Sequence, residues 1–141
     1  MKLLVELLRT ELDQDAARDF VSAPGHGAVV VFLGIVRDIH EGKAVGAVDY
    51  TGYEPLALTE LESVAREAGA AHAGGAVALF HRLGMLQVGG VSLVVAVGAR
   101  HRRPAMECAL LLVDLLKQRV PIWKQEFGPD GARWVAGTLP R

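Results

Sequence analysis

The chain has a single cysteine, Cys108, and that scarcity removes several chemistries at once. No disulfide can close within one copy, and no cysteine-based zinc site can be assembled. Aromatic residues are few, at 6%. Neither sign of charge dominates, because fifteen basic residues face sixteen acidic ones. A surface for bulk nucleic acid normally carries a net positive balance, so broad DNA or RNA binding is not expected, though a local basic patch stays open. No apolar run reaches the roughly 20 residues of a membrane span. The longest, 91–99 and 109–113, fit core elements. The stretch Met1 to Leu8 is too short and too soon charged for a signal peptide, which points to a soluble, cytoplasmic protein. The five histidines show no metal-binding spacing of the HExxH kind. Gly25-His26-Gly27 and Gly74-Gly75 read as turns, and neither forms a nucleotide fingerprint.

What is present is a 51% hydrophobic composition over 141 residues, enough for one domain, 1–141, with a real core. Residues 2–8 read as a strand. Asp13 is placed to cap a helix over about 14–21, with Ala16, Ala17 and Phe20 inward. The β-branched run 27–36 reads as a central strand. The polar segment Arg37 to Lys43 reads as a mobile loop, and 44–53 as the next strand. Pro55 opens a helix over 56–68, with Leu58, Leu61, Val64, Ala65 and Ala68 on one face and Gly69 as its end. Strands at 76–80 and 91–99 follow, the first leading to a turn at Gly84 and the second preceded by one at Gly89-Gly90. Pro104 is placed as the first residue of a helix to about Arg119. If extended, 121–127 puts Ile122, Lys124 and Glu126 on one face. Gly128 to Gly131 turns, and Trp134-Val135 pairs back. Strands and helices mix without repeated βαβ units, so an α+β fold with a mixed or antiparallel sheet is expected.

Basic residues gather where these apolar segments end. Arg37 closes one strand. His101, Arg102 and Arg103 close another, Lys117 ends a helix, and Lys124 follows the Val120-Pro121 stop. In a nearly neutral chain this pattern suggests a compact pocket for a small, strongly anionic substrate. Each residue also has a plainer reading: Lys117 as a cation at a helix C-terminus, Lys124 as a strand lysine, the arginines as loop charges. Together the two lysines say more. If the turn brings them close, each disfavours the other's protonation, and one becomes available as base or nucleophile near neutral pH. Arginine suits bidentate phosphate contact, and histidine can donate to phosphate or carry a proton. His81-Arg82 sits at a strand end directly before a turn and reads as structural or interfacial. Cys108, flanked at helical spacing by Ala105, Ala109 and Leu112, reads as packed.

Five blocks in order carry a resemblance. They are Gly27-Ala28 with Phe32 to Arg37; Tyr50 to Tyr53 with Ala57; His81 to Leu86 with Gly89; His101-Arg102 and the helix after it; and Leu116-Lys117 with Pro121 to Glu126. The set resembles the molybdopterin synthase catalytic (large) subunit family. The resemblance implies an α/β-hammerhead fold with an added α+β portion. It implies a central dimer with a small ubiquitin-like subunit at each end, a heterotetramer. That subunit inserts a C-terminal Gly-Gly tail bearing a thiocarboxylate. The implied reaction is a double sulfur transfer to cyclic pyranopterin monophosphate, forming the dithiolene of molybdopterin. Position by position, Lys117 matches the family's central catalytic lysine and Lys124 its second pocket lysine. Arg37, His101 and Arg102 match the lining of the anionic site. Ile35, Val36, Gln125 and Glu126 match the flanking backbone of the substrate pocket. No metal or organic cofactor is implied, and the partner's sulfur makes a catalytic cysteine unnecessary.

Two departures stand out. Thr51 occupies a position that is often acidic in the family, with Glu54 displaced in register. The carboxyl end is short, leaving Arg133 or Arg141 as weak candidates for a charge given across the dimer. The competing readings are a non-enzymatic binding module for a phosphorylated metabolite and a structural subunit assembling through strands 27–36 and 91–99.

Overall fold

A computed structural model describes residues 1–135. Its first sheet has the order β1-β6-β8-β2, built from β1 (Lys2–Leu8), β2 (Ala28–Ile35), β6 (Ala76–Arg82) and β8 (Val91–Ala99). β1 runs parallel to β6, and the other two pairings are antiparallel. Both faces of this sheet are covered. Val77, Leu79, Val95 and Val97 pack under α2 (Glu54–Ala71) and α3 (Arg102–Arg119). The alternate residues Ala76, Ala78, Phe80, Val94 and Ala96 pack under α1 (Gln14–Val21). Burial on both faces is why β6 and β8 read as unbroken apolar runs. The second sheet has the order β10-β9-β5-β7, from β5 (Ala47–Gly52), β7 (Gly84–Gln87), β9 (Ile122–Gly128) and β10 (Gly131–Trp134). A two-rung hairpin, β3 (Ile39–His40) and β4 (Lys43–Ala44), makes a third, minimal sheet. The α+β class with mixed and antiparallel sheets is therefore as expected. No helix among the described residues is long and apolar enough to cross a membrane.

Several elements follow their sequence signals. Asp13 accepts a hydrogen bond from the Ala16 amide at 3.0 Å and caps α1. The segment 121–127 is extended, and β10 pairs back on it. Other expectations need correction. β2 is an edge strand, not a central one, and Val29, Val31, Phe32 and Ile35 along it are 37–46% exposed. A β-branched run reads alike whether its second side meets its own chain or lies open. Residues 37–43 are not a free loop, because they form the β3–β4 hairpin. β7 had no sequence expectation at all. α2 begins at Glu54 and continues to Ala71 with Gly69 buried inside it; the stop comes near Ala73, whose φ of 50° has left the helical region. Pro104 is third in α3, still within the turn where its missing donor costs nothing. Ala16 and Leu58 face solvent, while Val21 and Ala57 take inward places.

The end of α1 presses closely on β8 at Gly98. A Cβ there would run into the Val21 carbonyl and come within 2.6 Å of His26 Nδ1, which is itself hydrogen-bonded to that carbonyl at 2.8 Å. Gly98→Ala is expected to cost about 2–3 kcal/mol, as overpacking does where the obstacle is backbone. Urea unfolding measures it, and a variant as stable as wild type would show that α1 can move aside.

Candidate active site

α3 ends against the second sheet. Val120 leaves the helix with its amide still bonded to Leu116 O, and Pro121 O accepts the Tyr53 amide at 3.4 Å. This short connection turns β9 back so that Lys124 lies within electrostatic reach of Lys117. Lys117 is exposed and Lys124 partly buried. Burial holds the Lys124 ammonium below the ordinary lysine value of 10.5. The charges of Lys117 and Arg37 push the same way, and Glu126 opposes them. The expected juxtaposition of the two lysines is thus present, and Lys124 gives up its proton more readily than an ordinary lysine does.

Beneath the lysines lies a polar wall. Tyr50 stands opposite Lys124 in the β5–β9 ladder and opposite Gly84 in the β5–β7 ladder. Burial raises the Tyr50 phenol above 10.0, with Ser92 opposing and Glu126 adding to the shift. The His81 ring meets Tyr50 edge-on, with centroids 5.6 Å apart. His81 is 5% exposed, and its Nδ1 lies 2.9 Å from the Arg82 carbonyl. A carbonyl only accepts, so Nδ1 carries the hydrogen. Burial first, and the Lys117 charge after it, lower His81 to about 4 even though that hydrogen bond opposes the shift. His81 is therefore neutral at physiological pH and adds no third cation beside the lysines. Sequence reasoning gave it a structural or interfacial place. Its one usable signal was position, a histidine closing a buried strand next to the tyrosine block.

Ile35, Val36 and Arg37 enter from the end of β2. Val36 is buried, donates its amide to Gly90 O at 3.0 Å and accepts from Gly89 at 2.8 Å. Arg37 emerges exposed immediately after this anchor. Gln125 is half-buried and pairs with Asp49 and Trp134. Glu126 is 5% exposed, and its carboxylate is bound by His40 and Arg133. Burial alone would raise the Glu126 carboxyl, but those two partners together bring it below 4.5. Arg133 is thus engaged within its own chain, and Arg141 falls outside the described residues.

His101 and Arg102 lie elsewhere. They stand at the start of α3, roughly 24 Å from Lys117 at 1.5 Å of rise per residue. With Arg103, Met106 and Glu107 they line an open cavity of about 480 Å³. Within one copy the expected anionic pocket is therefore split between the two ends of one helix. Among the described residues no three His, Cys, Asp or Glu side chains gather as a metal site.

Cys108 is fully buried in α3, and burial pushes its thiol up to about 11. Such a thiol is a poor nucleophile at neutral pH. Cys108→Ser is expected to keep full catalytic rate while losing about 1–2 kcal/mol of stability, the cost of burying a hydroxyl in an apolar core. Activity and urea unfolding measured on one preparation check both halves. A folded variant with little activity would contradict this reading.

Comparison with known proteins identifies the family. Residues 7–119 match the family model described as MoaE protein. The chain is 41% identical over 137 residues to the molybdopterin synthase catalytic subunit of Drosophila willistoni, covering 92% of this chain but 36% of that protein's length. It is 40% identical over 124 residues to molybdopterin synthase catalytic subunit 1 of Mycobacterium tuberculosis, covering 88% of this chain and 84% of the relative. The crystal structure of molybdopterin synthase from Staphylococcus aureus superposes with a TM-score of 0.87 at 30% identity, covering 92% of this chain and 95% of that one. The chain belongs to the MoaE family, the catalytic subunits of molybdopterin synthase.

Proposed function

We propose that the sulfur transfer by which this family forms the molybdopterin dithiolene runs, in this chain, where the end of α3 meets β9. The substrate is cyclic pyranopterin monophosphate. The sulfur arrives in the cytoplasm as the C-terminal thiocarboxylate of a small ubiquitin-like subunit. The observation that carries this reading is the half-buried Lys124 ammonium, held low by burial and by the charges of Lys117 and Arg37. Such a site attracts a small polyanion and offers a group that can take up a proton. Lys117, exposed beside it, pairs with the tail's thiocarboxylate and meets the charge that develops there. Lys124, as the free amine, takes a proton from the water that attacks as the cyclic phosphate opens, and Arg37 holds phosphate oxygens. Ile35, Val36, Gln125 and Glu126 frame the pocket.

The remaining expected residues join through a second copy. β2 is antiparallel to β8, with Ala28 opposite Ala99, so the Ala28 end of β2 lies where β8 delivers His101 and Arg102. The Ile35 end lies where Arg37 emerges. Two-fold pairing of this open apolar edge with that of a second copy lays each Ile35 end against the other's Ala28 end. Each site then receives His101 and Arg102 from the neighbouring chain, and the split along α3 is closed. The central dimer is thus part of the site.

Wild-type protein, incubated with cyclic pyranopterin monophosphate and the thiocarboxylated small subunit, is expected to yield the dithiolene product. A folded, partner-bound protein that forms none would overturn the proposal. The rate is expected to rise with pH along a limb set by Lys124, below the ordinary lysine range, because the free amine is the working form. Lys124→Arg keeps the charge and cannot release the proton, so its profile is expected to lose that limb.

A further inference from the structure

We propose that Glu126, His40 and Arg133 are positioning residues that tie the β3–β4 hairpin to β9 and thereby fix Arg37 in register with Lys124. The inference rests on the catalytic reading above for what Arg37 does, and on geometry alone for the tie.

The hairpin lacks the means to hold itself. It has two residue pairs, Ile39 with Ala44 and His40 with Lys43. Its turn places Glu41 at φ 51° and Gly42 at φ 77°. Positive φ at both central residues suits a tight hairpin, but the first of them is not a glycine. Ile39, Lys43 and Ala44 are exposed, so little apolar burial supports the ladder. A short, isolated two-stranded hairpin is marginal in water. The anchor comes from distant residues. Glu126 Oε1 accepts from His40 Nδ1 at 3.0 Å, from Arg133 Nε at 3.1 Å and from Arg133 Nη2 at 3.0 Å. Arg133 Nη2 also donates to His40 O at 3.1 Å, joining the hairpin backbone to β10. Charge-assisted bonds converging on one buried carboxylate are the strong kind.

Arg37 lies between this tie and the Val36 anchor. On its far side the Val45 amide donates to Asp38 O at 2.8 Å, closing the base of the hairpin. On the strand, Glu126 is two residues from Lys124, and alternation puts both on one face of β9. The strand that presents the low-pKa lysine therefore also holds the segment that presents the arginine. With its carboxylate occupied, Glu126 acts through the hairpin rather than by touching substrate.

The test uses the complete enzyme with its small subunit. Glu126→Gln and Arg133→Met are each expected to raise KM for cyclic pyranopterin monophosphate by about tenfold, with kcat within about threefold of wild type. Arg133 is about one-third exposed, so its variant keeps the test alive if Glu126→Gln folds poorly. In an Arg37→Ala background neither change is expected to raise KM further, because groups acting through one residue are non-additive. Hydrogen exchange over residues 38–45 is expected to speed up by about tenfold or more in both variants. Wild-type KM in Arg133→Met, or effects that multiply with Arg37→Ala, would overturn the proposal. Unchanged exchange in both variants would overturn the tie itself. Exchange needs no turnover, so a wild-type protein that forms no product counts against the catalytic reading while the tie is still decided.

Discussion

Lys117→Ala is expected to reduce dithiolene formation by about 10²–10³-fold, the scale seen when a group that meets developing charge is removed. Lys117 is exposed at the end of α3, so truncating it empties no core space. The α3 end keeps Arg119, which bonds Glu60, Ser63 and Glu67 on α2, so the helix pair stays clamped. Folding and dimerisation are therefore expected to match wild type, leaving the loss in tail pairing and the chemical step. Single-turnover measurements with preloaded thiocarboxylated subunit separate that step from binding. A variant retaining more than about a tenth of the wild-type rate would move the central role to Lys124.

The second large effect is a rescue. Lys117→Ala alone and His101→Ala/Arg102→Ala alone are each expected to be nearly inactive. A mixed dimer carrying one defect on each chain is expected to recover about half of the wild-type activity. The reason is the geometry of a two-fold pairing. One of its sites collects both defects, while the other combines intact Lys117 from one chain with intact His101 and Arg102 from its neighbour. Two affinity tags allow the mixed species to be isolated. If the roughly 24 Å along α3 were instead bridged within one chain, both sites would stay defective and no activity would return.

The parts legible in the sequence are those set by local chemistry. The Asp13 cap, the buried runs of β6 and β8, and the Pro121 stop depend on near neighbours in the chain. For β9 the sequence argues only against a helix, and places Lys124 and Glu126 on one face on condition that the segment is extended. What escaped depends on partners far away in sequence. β2 reads as a central strand because its second neighbour is not encoded in its own composition. The β3–β4 hairpin reads as a free loop because its anchors, Glu126 and Arg133, arrive from β9 and β10. β7 is four residues between glycines, too short for alternation to register. The pairing of Lys117 with Lys124 across a Pro-containing turn was readable. The separation of His101 and Arg102 from them follows from the length of α3, yet motif matching places all of these residues in one pocket without saying which copy supplies each.

The sealed thiol of Cys108 has a consequence for how the proposed system ages. Oxidants attack thiolates that are exposed and low in pKa, and Cys108 is neither. Its thiol is thus expected to stay reduced under oxidative stress, and the sulfur that oxidants reach is instead Met106, 60% exposed in the cavity it shares with His101 and Arg102.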